Sequence, residues 1–135
     1  MNNFIVKISR TELLNQMYWK RVYFSKLRRN WTEGSKIIFV TKTMDSEEAF
    51  AGLGKIEMVY ELSALDIDER KVYVKNNYSS KIVFGTMVRF LPTILTHRTK
   101  LPSLRKSEYP ILDGLNISDS EVSMIEDIAK ISIIK

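Results

Sequence analysis

The chain has no cysteine. Disulfides and thiolate-held metals are therefore excluded, and a reducing compartment, the cytoplasm, is the expected location. Its single histidine, His97, leaves no multi-histidine metal centre. A carboxylate site for a hard cation stays open, but no spacing marks one, so neither metal nor cofactor is expected. No nucleophile or carboxylate is signalled beside His97, so an exposed or backbone-bonded ring is expected there rather than a catalytic base. The unbroken apolar runs reach about four residues, against the roughly 20 needed to cross a bilayer. The segment Met1–Lys7 lacks the long apolar region and small-residue cleavage site of a signal peptide. No membrane segment is expected.

What is present is the composition of one globular domain. The chain has 135 residues, 44% of them hydrophobic and 27% charged, enough to bury a core. Its most informative stretch runs from Glu33 to Glu61. Gly34 marks a turn before Lys36-Ile37-Ile38-Phe39-Val40-Thr41-Lys42, a run rich in β-branched residues that predicts a strand. Residues 43–48 are polar and read as a loop. A longer strand is predicted over 49–60, with Gly52 and Gly54 sharing one face. Paired glycines imply a bulge, or a close approach by something flat.

Elsewhere the periodicities predict a strand over 3–8 and a helix over about 10–20, opened by a Ser9/Glu12 capping box. Residues 63–76 read as a helix with acidic residues in its first turn, although Lys71 to Lys75 alternates like a strand. A long strand is predicted from Ile82, with Ile82, Phe84, Val88 and Phe90 on one face. Pro92 ends or bends it, and Thr93 to His97 can continue past the bend. Tyr109 to Gly114 reads as an extended segment and turn. Ser118 and Glu121 form a second capping box before a helix with a Val122, Ile125, Ile128, Ala129 stripe. Ile131, Ile133 and Ile134 alternate partly, as a short last strand would.

Charge is distributed in blocks. Residues 1–42 carry nine Lys/Arg against two Asp/Glu, and residues 79–107 carry six against none. The intervening and final blocks are acidic. Within the first block Trp19, Lys20, Arg21, Tyr23, Lys26, Arg28, Arg29 and Trp31 interleave cations with rings. That is the composition of a nucleic-acid contact: cations for phosphate, flat groups for bases. Trp31, beside the Gly34 turn, reads as a half-buried lid. Arg98, Lys100, Arg105 and Lys106 supply a second basic segment. If the two segments meet, they form one phosphate-binding rim. The alternatives are a solvated rim over buried Phe24 and Leu27, and basic blocks neutralised by the acidic ones.

At Glu33-Gly34-Ser35-Lys36-Ile37-Ile38-Phe39, at Phe50-Ala51-Gly52-Leu53-Gly54-Lys55-Ile56, and at Tyr78 to Pro92, the chain resembles the PUA-like superfamily, in particular its EVE and ASCH relatives. It differs from them in having Ser35 where an Asp is usual. It also lacks the Gly-x-Lys-x-x-x-Glu-x-Arg signature of ASCH domains. The resemblance implies an α+β fold: a bent antiparallel pseudo-barrel with flanking helices, spanning the chain as a single domain. It further implies binding of RNA, or of a modified base held in a pocket beside the barrel.

The function expected is thus a non-enzymatic nucleic-acid-binding module. The competing expectations are a protein-interaction or complex-assembly subunit, for which the charge blocks would be a docking surface, and a small ASCH-type hydrolase, for which no carboxylate or Lys/Glu spacing is evident.

Overall fold

Ile37 to Val40 are four consecutive residues with no exposed surface. A strand can bury consecutive side chains only if both of its faces are covered, and that requirement sets the architecture. The structure, a computed structural model, describes residues 2–9, 11–27, 29–42, 48–61, 65–94 and 113–134, with the backbone alone at 11, 73, 91–94 and 130–134. The elements are β1 (Asn3–Lys7), α1 (Thr11–Lys20), β2 (Val22–Ser25), β3 (Lys36–Lys42), β4 (Glu48–Glu61), α2 (Ile67–Lys75), β5 (Ser80–Ile94), β6 (Leu115–Ile117) and α3 (Asp119–Ile134).

The strands form one curled, half-barrel sheet of six, in the order β2-β5-β4-β3-β1-β6. The α+β class and the bent sheet match the expectation, but the sheet is not wholly antiparallel. β1 and β3 pair in parallel, because the chain crosses through α1 and β2 before it returns beside β1.

Alternate side chains leave each strand on opposite faces. Ile5, Ile38, Val40 and Leu53 pack against Val122, Ile125 and Ala129 of α3. Val6, Ile37, Phe39, Ile56 and Phe84 pack against Leu14 and Met17 of α1. The two helices therefore cover opposite faces.

The glycine pair sits at a bulge. Phe39 pairs with Gly52 and Val40 with Phe50, leaving Ala51 as an extra residue. The flat groups against the glycines are the chain's own rings. A Cβ on Gly54 would lie 2.7 Å from the Phe84 ring, and one on Gly52 would meet the Tyr18 hydroxyl.

The face assignment along β5 is corrected by a second bulge. Ile82 and Phe84 face α1 as grouped, but Phe90 packs on the α3 side, and Val88 lines a cleft there with Ala129. The cause is Gly85. Lys55 pairs with Thr86 and Ile56 with Phe84, so Gly85 is an inserted residue, and one inserted residue moves every later side chain to the other face. The strand continues through Pro92 to Ile94. Its ladder with β4 is interrupted between Arg89 and Thr93, so the missing proline N–H costs no pairing there.

Of the two capping boxes read from the sequence the second forms and the first does not, and α2 starts at Ile67, inside the span read as helix. Ser118 Oγ accepts from Glu121 N, and Ser118 N donates to Glu121 Oε1, both at 3.2 Å. α2 is capped by Asp66, which accepts from Glu69 N at 2.8 Å. α1 begins at Thr11, and no Ser9–Glu12 bond forms among the described residues. Ile131, Ile133 and Ile134 extend α3 rather than forming a strand, since adding turns to an existing helix is cheap compared with nucleating one. The 43–47 loop, Leu95 to His97 and Tyr109 to Leu112 lie outside the described residues.

Candidate nucleic-acid interface

The basic aromatic segment contains an edge strand, β2, that its sequence did not announce. α1 ends at Lys20, and the next residue, Arg21, has a φ of 57°, in the left-handed region. That residue turns the chain sharply enough for β2 to start at Val22. Arg21 N donates to Met17 O, and Arg21 O accepts from Phe84 N at 2.9 Å. Its guanidinium donates to Gly85 O. Arg21 thus stitches β2 to β5.

On the edge strand Phe24 is 42% exposed. Tyr78 is brought beside it by the turn after α2, where Asn77 adopts a φ of 59°. The Phe24 and Tyr78 rings stack at 5.5 Å and 24°. Lys26 Nζ lies 5.9 Å from the Tyr78 centroid, within cation–π range. Hydrogen bonds fix this ledge from behind. Ser79 Oγ is 3.0 Å from both Ser25 O and Leu27 O, and Leu27 N donates to Ser25 Oγ.

Three clefts adjoin the ledge. A narrow one of 170 Å³ runs between α1 and β2, lined by Leu13, Gln16, Met17, Lys20, Tyr23, Phe24 and Tyr78. A wider one of 690 Å³ is lined by Lys26, Arg29, Glu61, Val74, Asn77, Tyr78 and Ser79. A shallow hollow on α2 is lined by Ile67, Arg70, Lys71, Val74 and Lys75. Tyr78 is common to the first pair and Val74 to the second, so the three are contiguous.

Tyr23 is held as a neutral phenol. Burial pushes its pKa up to about 12; Asp113 and Tyr78 add to this, and the Ser25 hydrogen bond works against it. Arg29 Nε donates to Gly114 O at 3.0 Å. That bond ties the ledge to the turn before β6, where Gly114 has a φ of 85°.

The structure therefore gathers Lys20, Tyr23, Lys26 and Arg29 around one ledge. Trp19 is 87% exposed and lines none of the three clefts. Trp31 is half-buried, as its reading as a lid implies. It packs edge-on against Phe4 at 4.9 Å and 67°, and its Nε1 is buried without a partner among the described residues. Arg28, Arg98, Lys100, Arg105 and Lys106 lie outside the described residues. The sequence reading does not single out Tyr78, and it leaves Phe24 open between an exposed ring and a buried one. Nothing local marks Tyr78; only the β2–β5 pairing brings it to the cations.

No family model and no curated protein matches the sequence. Solved structures do match in shape. An ASCH protein from Zymomonas mobilis aligns with a TM-score of 0.60 at 12% identity, over 91% of this chain and 94% of that one. A hypothetical protein from Leishmania major gives 0.67 at 16%, over 98% and 96%. The YTH domain of the Zygosaccharomyces rouxii MRB1 protein, in complex with N6-methyladenosine RNA, gives 0.60 at 14%, over 94% and 85%. A specific likeness to EVE domains is not among these findings. The fold of this chain is thus the one seen in these ASCH and YTH domains.

Proposed function

We propose that the chain is a non-enzymatic module that binds single-stranded RNA, with one base, plain or modified, held at the β2 edge beside the half-barrel. The observation that carries this reading is the Phe24–Tyr78 stack with Lys26 above it and Lys20 and Arg29 to either side. Stacked rings flanked by cations offer a base its π-face contact and its phosphate a counter-charge in one place. The 170 Å³ cleft is smaller than drug-sized ligand sites of roughly 300–1,000 Å³, which suits a single ring system. Its apolar walls suit an added methyl group. Inside it, Tyr23 stays protonated and can donate to a base edge. The same fold bound to N6-methyladenosine RNA in the Zygosaccharomyces rouxii domain supports the reading.

Fluorescence anisotropy with short labelled RNA and DNA, from about 50 to 200 mM salt, tests it. Binding that weakens linearly in log salt is expected, stronger for RNA than DNA, with methylated and unmethylated adenosine compared directly. A folded chain that binds no oligonucleotide at low salt would overturn the reading.

A further inference from the structure

On the opposite face, three residues stand in one row across the sheet. Lys36 of β3 pairs with Lys55 of β4, and Lys55 pairs with Thr86 of β5. All three line one trough under α3, whose volume is 340 Å³. Behind the polar row lie Leu53, Val88 and Phe90, with Leu53 and Val88 again cross-strand partners. Small Ala129 is the wall on α3. The trough thus has a cationic end and an apolar body.

Its charge is incomplete. Like charges directly opposite each other across strands repel. Glu126 of α3 answers one of them, 3.3 Å from Lys36 Nζ. Lys55 makes no ion pair among the described residues. Among the described residues the site therefore carries one surplus positive charge beside a hydroxyl that can donate to an oxyanion. Val88 is 44% exposed at the open side, an apolar surface that burial under a ligand would remove from water.

We propose that this trough binds a small organic anion with an apolar body: a carboxylate or phosphate ester whose head sits on Lys55 and Thr86 and whose chain or ring lies on Leu53, Val88 and Phe90. This site is separate from the β2 ledge and does not rest on the RNA reading.

Octanoate, octyl phosphate and 1-octanol serve as probes, titrated by calorimetry and by amide chemical shifts at concentrations below micelle formation. Saturable one-to-one binding of at least one anion is expected, with octanol weaker; the better head identifies carboxylate or phosphate as the natural group. Lys55→Gln should weaken the anion by about ten- to hundred-fold, the value of a charge-assisted hydrogen bond, and leave octanol unchanged. Val88→Trp fills the trough from its exposed side and should abolish binding of all three without changing RNA affinity. Lys75→Gln on α2, a residue that does not line the trough, should leave the binding of all three probes unchanged. Absence of saturable binding, equal affinity for octanol and the anions, or indifference to Lys55→Gln in a folded variant would each overturn the proposal.

Discussion

The Tyr18 hydroxyl occupies the space that a side chain on residue 52 would need: a Cβ on Gly52 would lie 1.5 Å from it. From there Tyr18 reaches Val88 O at 3.0 Å and Ala51 O at 3.2 Å. The guanidinium of Arg89 covers its ring at 4.5 Å. One residue of α1 thus fastens the bulge in β4 to the neighbouring β5. Gly52→Ala must displace that phenol, and the new Cβ would still meet Val88 O at 2.7 Å. Overpacking of this kind costs about 1–3 kcal/mol. Tyr18→Phe should cost about 1 kcal/mol for the lost hydrogen bond. Denaturant midpoints of both single variants and the double variant check this. The backbone contact predicts that Tyr18→Ala relieves only part of the Gly52→Ala cost.

The glycine pair shows what could be read in advance. Its shared face and its bulge follow from spacing alone. Its occupants do not, because Tyr18 and Phe84 are each some thirty residues away and only the folded sheet brings them in. The same holds for β5. Alternation grouped Val88 with Phe84 correctly for an unbroken strand, and Gly85 breaks the strand without a local signal beyond being glycine. At the ledge, composition marks the basic aromatic segment but does not show which of its rings come together. Tryptophan offers the largest stacking surface, which makes Trp19 and Trp31 the candidates that composition alone supplies. The pairing of β2 with β5 stacks Phe24 on Tyr78.

The two capping boxes in the sequence should behave differently. Ser118→Ala loses the bond to Glu121 N and leaves the first turn of α3 short of an acceptor, a loss of about 0.5–2 kcal/mol. Ser9→Ala should leave stability within error, since α1 starts at Thr11 and no Ser9–Glu12 bond forms. Equal losses at both positions in urea unfolding would contradict the helix start seen at α1.

Alkaline pH should destabilise the fold through two tyrosines. Burial pushes both Tyr18 and Tyr23 up to about 12, with Arg89 pulling Tyr18 part of the way back. The folded state therefore holds these protons more tightly than the unfolded chain, whose tyrosines titrate near 10. The stabilisation is complete below about pH 10 and is lost as pH rises towards 12. Midpoints measured from about pH 8 to 12 should fall, and the fall should shrink in Tyr18→Phe and Tyr23→Phe. A profile identical in wild type and both variants would show that neither phenol is perturbed.

The ledge separates ring contributions from charge contributions. Tyr78→Ala and Phe24→Ala remove the stack, and base–aromatic stacking is worth about 1–3 kcal/mol per base. Each should weaken RNA binding by that amount with an unchanged salt slope, because neither carries charge. Lys20→Ala with Lys26→Ala should instead flatten the slope by about 1–1.5 units, given roughly 0.7 counterions released per phosphate contact on a single strand. The tryptophans supply the controls. Trp19 is exposed and lines none of the clefts, so Trp19→Ala should change neither affinity nor stability. Trp31→Ala removes a ring packed against Phe4. It should lower the denaturant midpoint and leave RNA affinity of the folded fraction intact. Anisotropy titrations at three salt concentrations, paired with unfolding curves, resolve all four behaviours. If Trp19→Ala lowers affinity while Tyr78→Ala does not, the base contact lies at the end of α1 and the β2 edge is not the site.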